Sequence, residues 1–88
     1  KDIHSLYKEV RDYRENQPDF NRLRVIFDSL IQKSSSEWLI ILEIAQLAQK
    51  SDNKLFIDAK NYLIDLSNNN PNNKKLILDG LRILWKIF

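Results

Sequence analysis

The stretch Trp38-Leu39-Ile40-Ile41-Leu42-Glu43-Ile44-Ala45-Gln46-Leu47-Ala48-Gln49 decides how the rest of the chain must be arranged. At about 100° per residue its apolar side chains cover most of a helical circumference, and a helix that is apolar on nearly all sides belongs inside a fold. It holds the longest apolar run in the chain, Trp38 to Leu42, far short of the roughly 20 residues of a membrane span. The expected arrangement is therefore a water-soluble domain with this helix, spanning 37–49, at its centre and Trp38 in the core at its start. Just before it, Ser34-Ser35-Ser36-Glu37 has the S-x-x-E pattern of a capping box.

On either side the apolar residues recur at three and four, and one Gly and two Pro leave few breaks. Ile3, Leu6, Tyr7, Val10 and Tyr13 form one stripe, predicting a helix over 2–16 that ends before Asn16-Gln17-Pro18. Phe20, Leu23, Phe27, Leu30 and Ile31 form a second, over 20–33, with Asp19 placed to cap its first turn. Leu55, Phe56, Ala59, Tyr62, Leu63 and Leu66 predict a helix over 53–67. After Asn68-Asn69-Asn70-Pro71-Asn72-Asn73, where Pro71 suits a first helical position, a fifth helix is expected over 72–87. The connections are short, so the fold class is all-α: one bundle of about five antiparallel helices built from αα-hairpins.

Eighty-eight residues suffice for one core and not for two. The chain reads as one domain, 1–88, and the absence of Met marks it as a piece of a longer polypeptide. There is no Cys, hence no disulfide framework, thiolate nucleophile or Cys-based zinc site, in keeping with a cytoplasmic location. Lys and Arg number 14 against 12 Asp and Glu, and residues 1–33 and 34–88 each carry a surplus of one positive charge. Nucleic-acid binders concentrate positive charge on one face or tail. Here acids alternate with bases, so neither a nucleic acid nor a membrane is expected as partner.

Catalytic, cofactor and metal sites are all read as none. The only His is His4, and one His without Cys supports neither a positioned general base nor a converging ligand set. It reads as an ordinary, partly exposed side chain. A single Gly excludes a phosphate-binding glycine loop, and Gly80 lies inside a helical pattern, where it costs about 1 kcal/mol relative to Ala. Its expected role is to let a neighbouring helix approach. Arg11, Arg14, Arg22 and Arg24 flank the first turn and could converge on an anion or an acidic partner. The plainer reading is ion pairing with Asp12, Glu15, Asp19 and Asp28.

The last helix carries more apolar surface than a small domain needs. On a helical wheel Leu76, Gly80, Ile83, Leu84 and Ile87 lie together, Ile77, Leu81 and Phe88 follow, and Leu78 with Trp85 widens the arc to roughly 220°. A stripe of about 100° or somewhat more is enough for a surface helix. The surplus makes Leu78 and Trp85, with Ile83 and Ile87, a candidate interface toward the rest of a parent protein or a second copy in a homodimer. The alternative is a helix inserted deeply between two others.

The succession Tyr7-Lys8-Glu9-Val10-Arg11-Asp12-Tyr13-Arg14-Glu15, then Ser36-Glu37-Trp38-Leu39 leading into Leu42-Glu43-Ile44, and Lys75-Leu76-Ile77-Leu78-Asp79-Gly80-Leu81 resembles the helical extension after the catalytic domain of long bacterial aromatic amino acid hydroxylases. The resemblance spans most of the chain and implies an accessory C-terminal part of a phenylalanine-4-hydroxylase-like enzyme. In that family the reaction belongs to a tetrahydropterin and a non-haem iron held by two His and a carboxylate. Such a triad cannot be assembled from a chain whose only His is His4, so no cofactor belongs to this piece and no catalytic residue carries over. A second resemblance, to tetratricopeptide-type repeats, rests on two helices and a Pro-marked turn over 38–71. Leu42 stands where the repeat's Gly would fall, and no second copy is visible. A helix-turn-helix nucleic-acid binder is the third class, but it needs polar and basic residues at the start of its recognition helix. The central helix is too apolar for that, and the second offers only Arg22 and Arg24.

Overall fold

Five helices follow one another in the computed structural model, which describes residues 3–34 and 36–86, with side chains as far as Leu84. They are α1 (Ile3–Asp12), α2 (Phe20–Gln32), α3 (Trp38–Ala48), α4 (Asn53–Asn69) and α5 (Lys74–Lys86), and no strand occurs among the described residues. The all-α bundle follows. Its radius of gyration of 12.1 Å equals the roughly 12 Å expected of a globule of this length. The envelope of 33 × 32 × 20 Å is about two helix diameters thick, so the helices lie in two layers.

α3 is the centre, as its composition requires. It packs against all four other helices, and Ile40, Ile41, Ile44, Ala45 and Ala48 are fully covered. The other helices bring one stripe each: Val10 from α1; Leu23, Ile26, Phe27 and Leu30 from α2; Leu55, Phe56, Ala59 and Leu63 from α4; Ile77, Leu81 and Leu84 from α5. α3 with α4 and α4 with α5 form the closest sequential pairs, whereas α1 and α2 lean on α3 more than on each other. Trp38 is only half-buried and packs on the margin of the core, because it occupies the first turn of α3 where fewer neighbours reach.

Two contacts fix the direction of α5 against α3. A Cβ added to Gly80 would lie 2.7 Å from Cδ2 of Leu42, so the missing side chain is what admits α3. One turn further along α5, the carbonyl of Leu84 accepts a 2.8 Å hydrogen bond from Nε2 of buried Gln49. Both contacts advance toward the C-terminus on both helices, so α3 and α5 run in the same direction with α4 between them in the chain.

The helix ends depart from the sequence reading in three places. α1 stops at Asp12, four residues early, because its last turn tightens: Tyr13 donates to the carbonyl of Val10 and Arg14 to that of Arg11. Ser34 does not cap α3. It sits beyond Lys33, the C-cap of α2, at φ 50°, the left-handed conformation in which helices commonly terminate, and Glu37 becomes the N-cap, its side chain making no capping hydrogen bond to the first turn. Pro71 precedes α5 in a turn and not as its first residue; its carbonyl accepts from the amide of Lys74, where the helix begins. By contrast Asp19 caps α2 as expected, accepting from the amide of Arg22, and Asp52 does the same for α4 from the amide of Leu55.

Since Ile44 is wholly enclosed at the centre, Ile44→Ala is expected to cost about 2–5 kcal/mol. Trp38→Ala, at the margin, is expected to cost less than the loss of a fully packed aromatic. Chemical denaturation of the two variants compares them directly; equal or reversed losses would mean that the centre of packing lies elsewhere.

Candidate functional site

The four arginines flanking the first turn point to different places. Arg14, carried by the tightened turn after α1, donates from Nε to Oε2 of Glu43 at 2.8 Å and from Nη2 to the other carboxylate oxygen, and it also reaches Oε1 of Gln46 at 3.2 Å. Arg22 makes a forked contact with Glu9, 2.7 and 3.1 Å, joining α2 to α1. Arg24 joins α2 to α4 through Asp58 at 2.9 Å, with Asp28 at 3.9 Å and the ring of Phe27 beneath it. Arg11 lies over the ring of Tyr7, 5.6 Å from its centroid. Arg11 and Arg14 line one open depression together, whereas Arg22 and Arg24 do not reach it. Ion pairing prevails, and its principal partners Glu9, Glu43 and Asp58 come mostly from other helices, which sequence neighbourhood alone does not reveal.

Glu43 is the one carboxylate in the apolar body of α3, and it is buried. Burying a charge is tolerable only when it is paired and hydrogen-bonded, and the forked guanidinium of Arg14 does both. Among the described residues no buried side-chain nitrogen or oxygen lacks a partner, and no three His, Asp or Glu are placed to share a metal ion. His4 is exposed on α1, beside an open depression of about 480 Å³ that Tyr7, Lys8, Arg11 and Arg14 line together with the acids Asp12 and Glu15. None of the described helices is long and apolar enough to cross a membrane.

The distinctive surface is apolar. Leu76 and Ile83, two turns apart on one side of α5, are 56% and 57% exposed, and Leu39 on α3 is 49% exposed. Leu39 lies one turn before Leu42, and Leu76 one turn before Gly80. Leu42 and Gly80 touch, so the two helices that carry these exposed residues are in direct contact. Large apolar side chains gathered in this way commonly mark a contact surface. Leu78, expected on the outer side, is half-buried against the core. α5 is rotated so that Ile77, Leu81 and Leu84 point inward, which leaves Leu76 and Ile83 outside. Ile83 is thus the exposed member of the expected interface, while the side chains of Trp85 and Ile87 lie outside the described residues. Leu39 escaped the sequence reading because every face of its helix is apolar; Leu76 escaped because the wheel cannot say which part of a 220° arc turns inward.

The Arg24–Asp58 link gives a pH signature. Its hydrogen bond holds the Asp58 carboxyl below its ordinary value of 3.8, with Lys54 assisting and partial burial opposing. A carboxyl whose folded pKa is depressed contributes stability that is full above 3.8 and is lost as the pH falls through the lower folded value. Asp58→Asn is therefore expected to make the acid limb of the stability curve shallower below about pH 4 while leaving the slope near neutrality unchanged. Thermal unfolding from pH 2 to 7 checks this, and an unaltered acid limb would remove Asp58 from the account.

Comparison of the chain with protein-family models, curated proteins and solved structures finds no match, so the functional reading rests on the residues and surfaces described above.

Proposed function

We propose that this chain is a non-catalytic accessory or assembly domain, which acts by presenting a rigid apolar surface to another protein surface. The observation that supports this reading is the exposure of Leu76 and Ile83 on one side of α5 and of Leu39 on α3, carried by helices whose opposite sides are locked into the core. Rigid helices suit such a role because little conformational freedom is lost on contact. Buried Glu43 is paired to Arg14 and stands as a structural group, not as an acid or base for chemistry.

In its specific form the proposal makes this the accessory part of a pterin-dependent aromatic amino acid hydroxylase-like enzyme in the bacterial cytoplasm, with the remainder of that enzyme or a second copy as partner. Support comes from the resemblance of residues 7–15, 36–44 and 75–81 to the helical extension of such enzymes. A free-standing helical interaction module is the second reading. The parallel course of α3 and α5 around α4 favours it, since successive hairpins in helical arrays stack in this way.

Two measurements test the proposal. The coding sequence upstream of Lys1 is expected to specify a His-x-x-x-x-His pair with a downstream Glu, and an upstream region without that set would leave the interaction module as the reading. The 88-residue chain, incubated with ferrous ion and desalted, is expected to retain no stoichiometric iron and to hydroxylate no phenylalanine. One tightly held iron per chain would overturn the non-catalytic assignment.

A further inference from the structure

We propose that α1 is a strap that opens ahead of the rest of the bundle, and that the flank of α3 it covers receives, once bared, an amphipathic helix of another protein with a cation in the place of Arg14. This surface is separate from the exposed side of α5, and the inference stands apart from the reading above.

α1 is the helix least held by apolar packing. Val10 is its one fully buried residue, whereas α2, α3, α4 and α5 each bury three or more apolar side chains. Leu6 and Tyr7 are only half-buried against the core, and Ile3 is exposed. α1 leans on α3 and touches α2 little. Between α1 and α2 lie two open depressions of about 320 and 260 Å³, both reaching Leu6, Ser29 and Lys33. Ion pairs supply the rest of the hold, Arg14 to Glu43 of α3 and Glu9 to Arg22 of α2. A helix of ten residues is marginal on its own in water, so loss of these few contacts releases it as a unit. Segments with few buried apolar contacts are the ones that open locally before the whole fold does.

The flank beneath sets the chemistry of any occupant. Ile40 and Leu47 stand one turn to either side of Glu43 on α3, so an apolar strip carries one carboxylate at its middle. Glu43 is buried, and a carboxylate so placed is tolerated only with a cation against it. α1 and its tightened last turn show the pattern that fits: Leu6, Val10 and Arg14 recur at intervals of four, two apolar side chains and then the guanidinium that meets Glu43. An occupant without the cation would leave Glu43 covered and unpaired, and one with an acid there would add repulsion. Charge complementarity therefore selects a basic amphipathic helix. α1 is its competitor within the chain.

The test is amide hydrogen exchange of the 88-residue chain, followed residue by residue under native conditions. The amides of α1 are expected to exchange through an opening about tenfold or more as populated as that of α3 and α4. Arg14→Gln leaves Glu43 covered without a cation and is expected to raise the opening of α1 about tenfold again, with α3 and α4 little changed. Adding Glu43→Gln to it is expected to close the strap in part, since no buried charge is then left unpaired. A labelled peptide of residues 3–17, titrated into the full chain to millimolar concentration, is expected to bind, and its Arg14→Glu form about tenfold more weakly. Exchange of α1 in step with α3 and α4 overturns the proposal. So does an Arg14→Gln chain that loosens everywhere alike, a double variant no tighter than the single one, or a peptide that fails to bind or binds equally well with its charge reversed. The upstream sequence that tests the hydroxylase assignment is untouched by any of these results.

Discussion

Coverage of the Ile40–Ala48 side of α3 is the constraint from which the remaining architecture follows. Ile40, Ile41, Ile44, Ala45 and Ala48 lie within an arc of about 140°, and all are covered, while Leu39 on the opposite side is 49% exposed. Each large aliphatic among them gains about 1.5–3 kcal/mol by leaving water. One neighbouring helix covers an arc of little more than 100°, so a helix apolar on every side needs several neighbours at once. α1, α2, α4 and α5 meet that need, each with a single apolar stripe. A layer only two helices thick is what five short helices allow. Gly80 shows how tightly this is set: α5 comes close enough to α3 that even a Cβ would press on Leu42.

Enclosure also creates the principal electrostatic feature of the molecule. Glu43 shares a helix with residues that must be buried, so it is buried with them, and its charge has to be met from outside the helix. Arg14 meets it because α1 tightens after Asp12 and turns that side chain toward α3. Arg22 with Glu9 and Arg24 with Asp58 then tie α2 to α1 and α4. These last two pairs are partly in water and individually weak, of the order of 1 kcal/mol or less. They fix how the outer helices sit on an apolar centre that by itself tolerates sliding. Gln49 serves a related purpose, satisfying the carbonyl of Leu84 near the end of α5.

The fold was largely legible in the sequence because periodicity reports which residues avoid water, and here the pattern is seldom interrupted. Five helices, the central place of the third and the packing role of Gly80 all follow from it. The misjudged helix ends have a common cause. Ser34 matches both a cap for the helix that follows and a terminator for the one that precedes, and local chemistry does not choose between them; in the structure the need to end α2 prevails. Pro71 presents the same ambiguity between a first helical residue and the turn before it. Ion-pair partners such as Arg14 and Glu43, 29 residues apart, are settled by tertiary packing, which helical spacing does not encode.

The candidate site was legible only in outline. Excess apolar surface on the last helix is visible on a wheel, but its orientation depends on how α5 rolls against α3. That roll is set by Gly80. Presenting the glycine side to Leu42 brings Ile77, Leu81 and Leu84 into the core and draws Leu78 to its margin, and it leaves Leu76 and Ile83 outside. Rolling α5 to bury Leu76 and Ile83 would carry Ile77 and Leu81 toward water and widen the approach to α3, exchanging two exposed side chains for others of the same size. With the core side of α3 already covered and only one apolar face required of a terminal helix, some large apolar surface on α5 stays open in the single chain. An exposed side of this kind on α5 is thus a direct consequence of the way the centre is packed, set by the same Gly80–Leu42 contact that closes the core.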